Sequence, residues 1–170
     1  VRYWPQLQQI MHWADEHVER TLYICWAAQA GLYEHYGINK YALADKMFGI
    51  FDQRVLCSDS FLMRGLTPSF KMPNSRHTAV SQIDVEQAHD KGLQLIAASN
   101  ESGVGVMATL DGRRTFIVGH LEYAADTLDK EYKRDLSKNL PIKAPLHYYN
   151  KEGRIAFSWQ SDAAKFYRNW

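Results

Sequence analysis

A thiol, an imidazole and a carboxylate occupy positions from which they could act together: Cys25, His120 and Glu122. Cys25 closes the short apolar run Thr21-Leu22-Tyr23-Ile24 and precedes the small-residue stretch Ala27-Ala28-Gln29-Ala30-Gly31, so it reads as the turn between a strand and a helix. Such a turn holds a side chain clear of a sheet, and the free amides of the next helix favour a thiolate and an oxyanion. His120 closes a second apolar run, Phe116-Ile117-Val118-Gly119, and Glu122 follows two residues on. A thiol near neutral pH is mostly protonated; an imidazole that takes its proton, steadied by a carboxylate, turns it into a nucleophile. Each residue also has a plain structural reading, because cysteine is often simply buried and a histidine–glutamate pair can be a hydrogen bond of the core. If both runs are parallel strands of one sheet, their carboxyl ends open on the same edge, where ligands of open α/β sheets bind.

The elements that would carry these residues follow from periodicity. Pro5 suits a first helical turn, and Leu7, Ile10, Met11, Ala14 and Val18 share one helical face, which predicts a helix to about Arg20. Thr21 to Ile24 reads as a buried strand, and Ala28 to Tyr36 as a helix stopped by Gly37. Lys46 to Leu56 reads as extended, Asp59 to Asn74 as a loop carrying Gly65, Pro68 and Pro73, and Ser75 to Thr78 as the end of that loop. Ser81 to Lys91 is polar and reads as helical. Three apolar runs follow, Leu93 to Ala98, Val104 to Leu110 and Thr115 to Val118, with Asp111-Gly112 as a hairpin turn between the last two. Asp126 is placed to cap a helix to about Lys138, and Trp159 to Trp170 reads as a closing helix. The mixture predicts an α/β sheet covered on both faces.

Composition narrows the classes. A chain of 170 residues with 46% hydrophobic content suits one domain with a sizeable core. Twenty basic against nineteen acidic residues leave a net charge of +1, with no basic run to bind nucleic acid. No apolar run reaches membrane-spanning length and no signal region opens the chain, so the cytoplasm is the default location and no membrane partner is expected. Cys25 and Cys57 are read as reduced thiols, and the seven histidines show no metal-ligand spacing.

Several separated blocks, in order, carry a family resemblance: Tyr3-Trp4-Pro5, Ile24-Cys25-Trp26-Ala27-Ala28-Gln29-Ala30-Gly31-Leu32-Tyr33, Asn74-Ser75-Arg76-His77-Thr78, Gly119-His120-Leu121-Glu122-Tyr123 and Glu131-Tyr132-Lys133-Arg134-Asp135. Over nearly its whole length the chain resembles the homoserine O-acyltransferases of the homoserine O-succinyltransferase type, used in methionine biosynthesis. The resemblance implies a class I glutamine amidotransferase-like, flavodoxin-like sheet flanked by helices. It implies transfer of an acetyl or succinyl group from acyl-CoA to the hydroxyl of homoserine, with Cys25 as nucleophile, His120 as general acid and base and Glu122 as its orienter. It further implies Lys46 near the acyl-enzyme carbonyl, Ser75 and Arg76 in a substrate-contacting block, and Arg134 on the amino acid's carboxylate. Without the resemblance, Lys46 and Arg134 would read as solvated surface charges and Ser75 as a loop end.

No bound cofactor is implied; acetyl-CoA or succinyl-CoA is a co-substrate, the partners are small molecules, and a homodimer is left open. Residues 1–170 are expected to form a single acyltransferase domain lacking the N-terminal portion that family members carry ahead of the point matching Val1. Ala27, Asn74 and Leu121 stand where the family usually has glycine, histidine and proline. Serine O-acetyl transfer, a glutaminase-type cysteine hydrolase and a non-catalytic domain are the other readings. Ile24 and Trp26 flank Cys25, where glutaminases commonly carry glycines, which favours acyl transfer.

Overall fold

Alternating burial along the apolar runs is what draws them into one sheet. The computed structural model describes residues 1–170, with strands β1 (Thr21–Ile24), β2 (Lys40–Val55), β3 (Ser69–Val80), β4 (Leu93–Ser99), β5 (Gly103–Thr109) and β6 (Arg114–Ile117) in the order β1-β6-β5-β4-β2-β3. On β6, Phe116 and Ile117 face opposite ways, as period two requires, and join separate apolar cores. One core holds Met11, Leu32 and Tyr36 of helices α1 (Trp4–His17) and α2 (Trp26–Tyr36), and Val85 of α3 (Gln82–Gln87). The other holds Leu128 of α4 (Thr127–Ser137) and Ala163 and Phe166 of α5 (Gln160–Asn169), with Trp159 and Tyr148. The sheet is therefore covered on both faces, as its composition predicts. None of the helices is long and apolar enough to cross a membrane.

β1 and β6 are parallel, with Ile24 opposite Ile117, so Cys25 and the residues after β6 emerge at one edge. This is the only parallel pair; β5 runs antiparallel to β6, β4 to β5, and β2 to both β4 and β3.

The stretch read as a loop and its end, Asp59 to Thr78, is corrected by the fold: Ser69–Val80 is one edge strand, with Pro73 opposite Ile50. An edge strand tolerates proline because one row of its N–H groups has no ladder partner to miss. β2 likewise begins at Lys40, six residues before the expected start. It meets β4 only through Arg54 and Val55, and the rest of the β2–β3 ribbon extends toward the ends of β6 and β1. The amide of His120 donates to the Pro73 carbonyl at 2.8 Å, and Gln29 on α2 exchanges hydrogen bonds with Thr78. Asp126 does not cap α4 through its side chain; the carboxylate pairs instead with Lys130 at 2.7 Å. Ser81 does cap α3, accepting from the Asp84 amide.

Candidate active site

Cys25 is the N-cap of α2, with φ 53° and ψ −112°. A side chain in this region is strained by about 1–3 kcal/mol and persists only where its surroundings hold it. Three things do so here. The Cys25 amide donates to the Ile117 carbonyl at 2.7 Å, which ties the elbow to β6. Its carbonyl accepts from Gln29 as the first helical bond. Gly31 lets α2 settle on the sheet, since a Cβ there would lie 2.9 Å from the Phe116 ring and 3.0 Å from Tyr23. With the Cys25 amide committed, the next amides of the first turn, from Trp26 onward, are the donors left to face a developing oxyanion.

His120 reaches the same edge through a close backbone approach. A Cβ on Gly119 would stand 2.6 Å from the Pro73 carbonyl oxygen and 2.8 Å from the Met72 side chain, so glycine alone lets the chain pass β3 there. The imidazole donates from Nδ1 to Glu122 Oε1 at 2.6 Å and turns its other side to the Cys25 thiol. Burial works against its positive charge, but hydrogen bonds to Cys25 and Glu122, with their negative charges, outweigh it and push the His120 pKa up to about 9. The Tyr123 ring stacks on the imidazole, centroids 4.1 Å apart, and fixes its plane.

The other expected site residues converge on α4. Glu131 accepts from Ser75 Oγ at 2.6 Å and from the Tyr123 hydroxyl at 2.9 Å, and lies 3.4 Å from Lys46 Nζ. Lys46 also approaches Asp135 at 3.5 Å and sits over the Phe48 ring. It leaves β2 at a bulge: the ladder is regular to Ala42 opposite Thr78 and resumes at Met47 opposite Arg76, so residues 43–46 face one residue of β3. Such an insertion re-aims side chains. Arg134 pairs with Asp135 at 2.7 Å and keeps half its side chain in water. Asp135 thus bridges Lys46 and Arg134, and the arginine pulls its pKa below the usual carboxylate range.

Arg76 differs from the rest. It is 5% exposed and turned inward, donating to Asn74, to the Thr78 carbonyl and to the Ser102 carbonyl. Its guanidinium is committed to these three acceptors inside the fold.

Residues not assigned by the sequence complete the arrangement. Tyr123 and Glu131 lie inside the quoted blocks, and the i, i+4 spacing of Glu131 and Asp135 puts two carboxylates on one face of α4. Tyr167 on α5 brings its buried hydroxyl toward Glu122, and no local sequence signal links the two. His35 lies away from the cleft, hydrogen-bonded to Tyr23 and near Asp15. No three His, Cys, Asp or Glu side chains converge as a metal site requires.

The profile of the family described as homoserine O-succinyltransferase matches residues 1–170. A homoserine O-acetyltransferase of Lachnoclostridium phytofermentans is 46% identical over 173 residues, covering 100% of this chain and 57% of its own length. A homoserine O-acetyltransferase of Petrotoga mobilis is 43% identical, covering 100% and 55%. The chain therefore spans little more than half the length of these relatives. Among solved structures, a glutamine amidotransferase from Methylobacillus flagellatus superposes with a TM-score of 0.67 at 12% identity, over 99% of this chain and 68% of that one. That likeness establishes the glutamine amidotransferase-like α/β fold and nothing about chemistry.

Proposed function

From the premise that the chain belongs to the homoserine O-succinyltransferase family, we propose that its Cys25–His120–Glu122 array moves an acyl group, acetyl or succinyl, from acyl-CoA to the hydroxyl of homoserine, a step of methionine biosynthesis. The observation that carries this reading is the elbow. A strained cysteine opens a helix, facing an imidazole that a 2.6 Å bond holds to a carboxylate.

The electrostatics suit a two-step exchange. His120, whose pKa is raised, takes the Cys25 proton as the sulfur becomes the nucleophile. Sγ attacks the thioester carbonyl, the C–S bond to CoA breaks with its electron pair, and His120 protonates the departing thiolate. Acylation also removes the negative sulfur that held the imidazolium's proton, so His120 is neutral when the acceptor arrives. It then takes the hydroxyl proton as the oxygen attacks the acyl carbon, and Sγ leaves as thiolate, restoring the first state. Amides from Trp26 onward serve the oxyanion, each such donor being worth about 3 kcal/mol. Lys46 is within the same cluster to assist, and Arg134 serves the amino acid's carboxylate by exchanging Asp135 for it. Residues 1–170 on this reading form one acyl-transfer unit.

Intact-mass measurement after exposure to acetyl-CoA or succinyl-CoA without acceptor should show one acyl adduct on the wild type and none on Cys25→Ala. Homoserine should discharge it. Discharge by serine alone would move the acceptor assignment, and glutamine hydrolysis without any adduct would replace acyl transfer with amide hydrolysis.

A further inference from the structure

Three separate pieces of chain meet inside the fold around Thr78. Its carbonyl accepts from Gln29 Nε2 at 3.1 Å and from Arg76 Nη1 at 2.7 Å, and its hydroxyl donates to Gln29 Oε1 at 2.6 Å. Gln29 stands one turn into α2, the helix that Cys25 opens, and is buried. Arg76 also donates to Asn74 Oδ1 at 3.1 Å and to the Ser102 carbonyl, in the turn between β4 and β5. That turn is itself fixed: Ser99 Oγ accepts from the Glu101 and Ser102 amides, and Ser102 Oγ accepts from Gln53 of β2 at 3.0 Å. A buried polar network of this kind rigidifies what it joins, and the planar guanidinium holds three acceptors at once.

Thr78 and Arg76 are also the two rungs that bound the β2 bulge. Thr78 lies opposite Ala42 and Arg76 opposite Met47, so residues 43–46 loop out across from His77. Lys46 leaves β2 from that bulge, and Ser75 adjoins Arg76 on β3. Both reach Glu131, which also accepts from Tyr123, the ring stacked on His120. A bulge disrupts its ladder and leaves the extra residues without pairing partners, so its shape must be held from elsewhere. Here Thr78, at one end, bonds directly to the elbow helix, and Arg76, at the other, bonds to the same Thr78 carbonyl.

We propose that Gln29, Thr78 and Arg76 form a latch that fixes the bulge carrying Lys46 against the elbow carrying Cys25. They are positioning residues that act from inside the fold and touch no substrate. The inference rests on the reading in which Cys25 carries the acyl group and Lys46 assists its oxyanion. The latch then serves one kind of step, the attack that places negative charge on a carbonyl oxygen between the helix amides and Lys46. Attack of the same sulfur on an electrophile that forms no oxyanion does not need it.

Two rates on Cys25 separate this role from general support of the fold: acylation by acetyl-CoA or succinyl-CoA, and alkylation by iodoacetamide, each resolved from Cys57 by peptide mass. Thr78→Val keeps the shape and removes the hydroxyl; it should slow acylation about 10–10²-fold and leave alkylation unchanged. Gln29→Met removes both bonds from the helix side and should give the same split, which decides the matter if Thr78→Val does not fold. Thr78→Ser restores the hydroxyl and should restore acylation. In a Lys46→Gln background, Thr78→Val should add less than about a twofold loss, since the group it displaces is already gone. Wild-type acylation in folded Thr78→Val or Gln29→Met overturns the proposal. Equal losses of acylation and alkylation, which mark a disturbed elbow, also overturn it, as does an undiminished effect of Thr78→Val without Lys46. Normal alkylation of the wild type with no acyl adduct from either donor removes the acyl-carrier reading, and this inference with it.

Discussion

His120 is held by partners on both sides of its ring, and this sets a pH signature. Its pKa rises from 6.5 to about 9 on folding, so folding favours the protonated form. The stability this adds is complete below about pH 6.5 and is lost as pH climbs through about 9. Melting temperatures of wild type and His120→Ala, compared across that range, should differ most at the acid end and converge at the alkaline end. A difference independent of pH would mean that the imidazole is held by shape alone. Glu122→Gln takes away one of the two groups that raise the His120 pKa. The pH dependence of the proposed acyl transfer should shift to lower pH and its kcat should fall about 10²–10⁴-fold, because the imidazole loses both its hydrogen-bonded carboxylate and the stabiliser of its charge.

Elements place these side chains through a few contacts that tolerate little change. The end of β6 passes β3 so closely that Gly119→Ala would drive a Cβ into the Pro73 carbonyl, a backbone atom that cannot swing aside. A loss of about 1–3 kcal/mol by urea unfolding is expected, together with a drop in kcat larger than the rise in KM, since His120 moves and the cleft does not. α4 is fastened to the site by Glu131, which holds Ser75, Tyr123 and Lys46 at once. Glu131→Ala leaves two hydroxyls without their acceptor and should cost about 1–3 kcal/mol by the same measurement. The helix positions were readable in the sequence: alanine-rich runs, Gly37 as a left-handed cap and a 3.6-residue apolar stripe are local properties. β3 was not readable, because Gly65, Pro68 and Pro73 signal a break, and only its place at the sheet edge lets Pro73 lie within a strand.

The whole molecule depends on two cores separated by one sheet, and Cys25, His120 and Glu122 hang from the sheet's edge between them. Phe166 is fully buried where α5 meets the sheet, and Phe166→Ala should cost about 3–5 kcal/mol in urea unfolding. The same helix carries Tyr167 toward Glu122, so repacking there should lower kcat as well as stability. Three features were determined by the sequence itself: a cysteine at a strand–helix turn, a histidine and a glutamate closing a second strand, and apolar runs enough for a covered α/β sheet. All are short-range patterns, because backbone periodicity and the residues that interrupt it act over a few positions. Tertiary structure alone decided that the two strands are parallel neighbours, that a bulge aims Lys46 at Glu131 and Asp135, and that Arg76 turns inward although Ser75 beside it joins the cleft. Alternation on a strand says that successive side chains point apart, but which side faces water depends on what packs against it. Here the β2–β3 ribbon reaches over to the elbow, and that long-range contact buries the guanidinium.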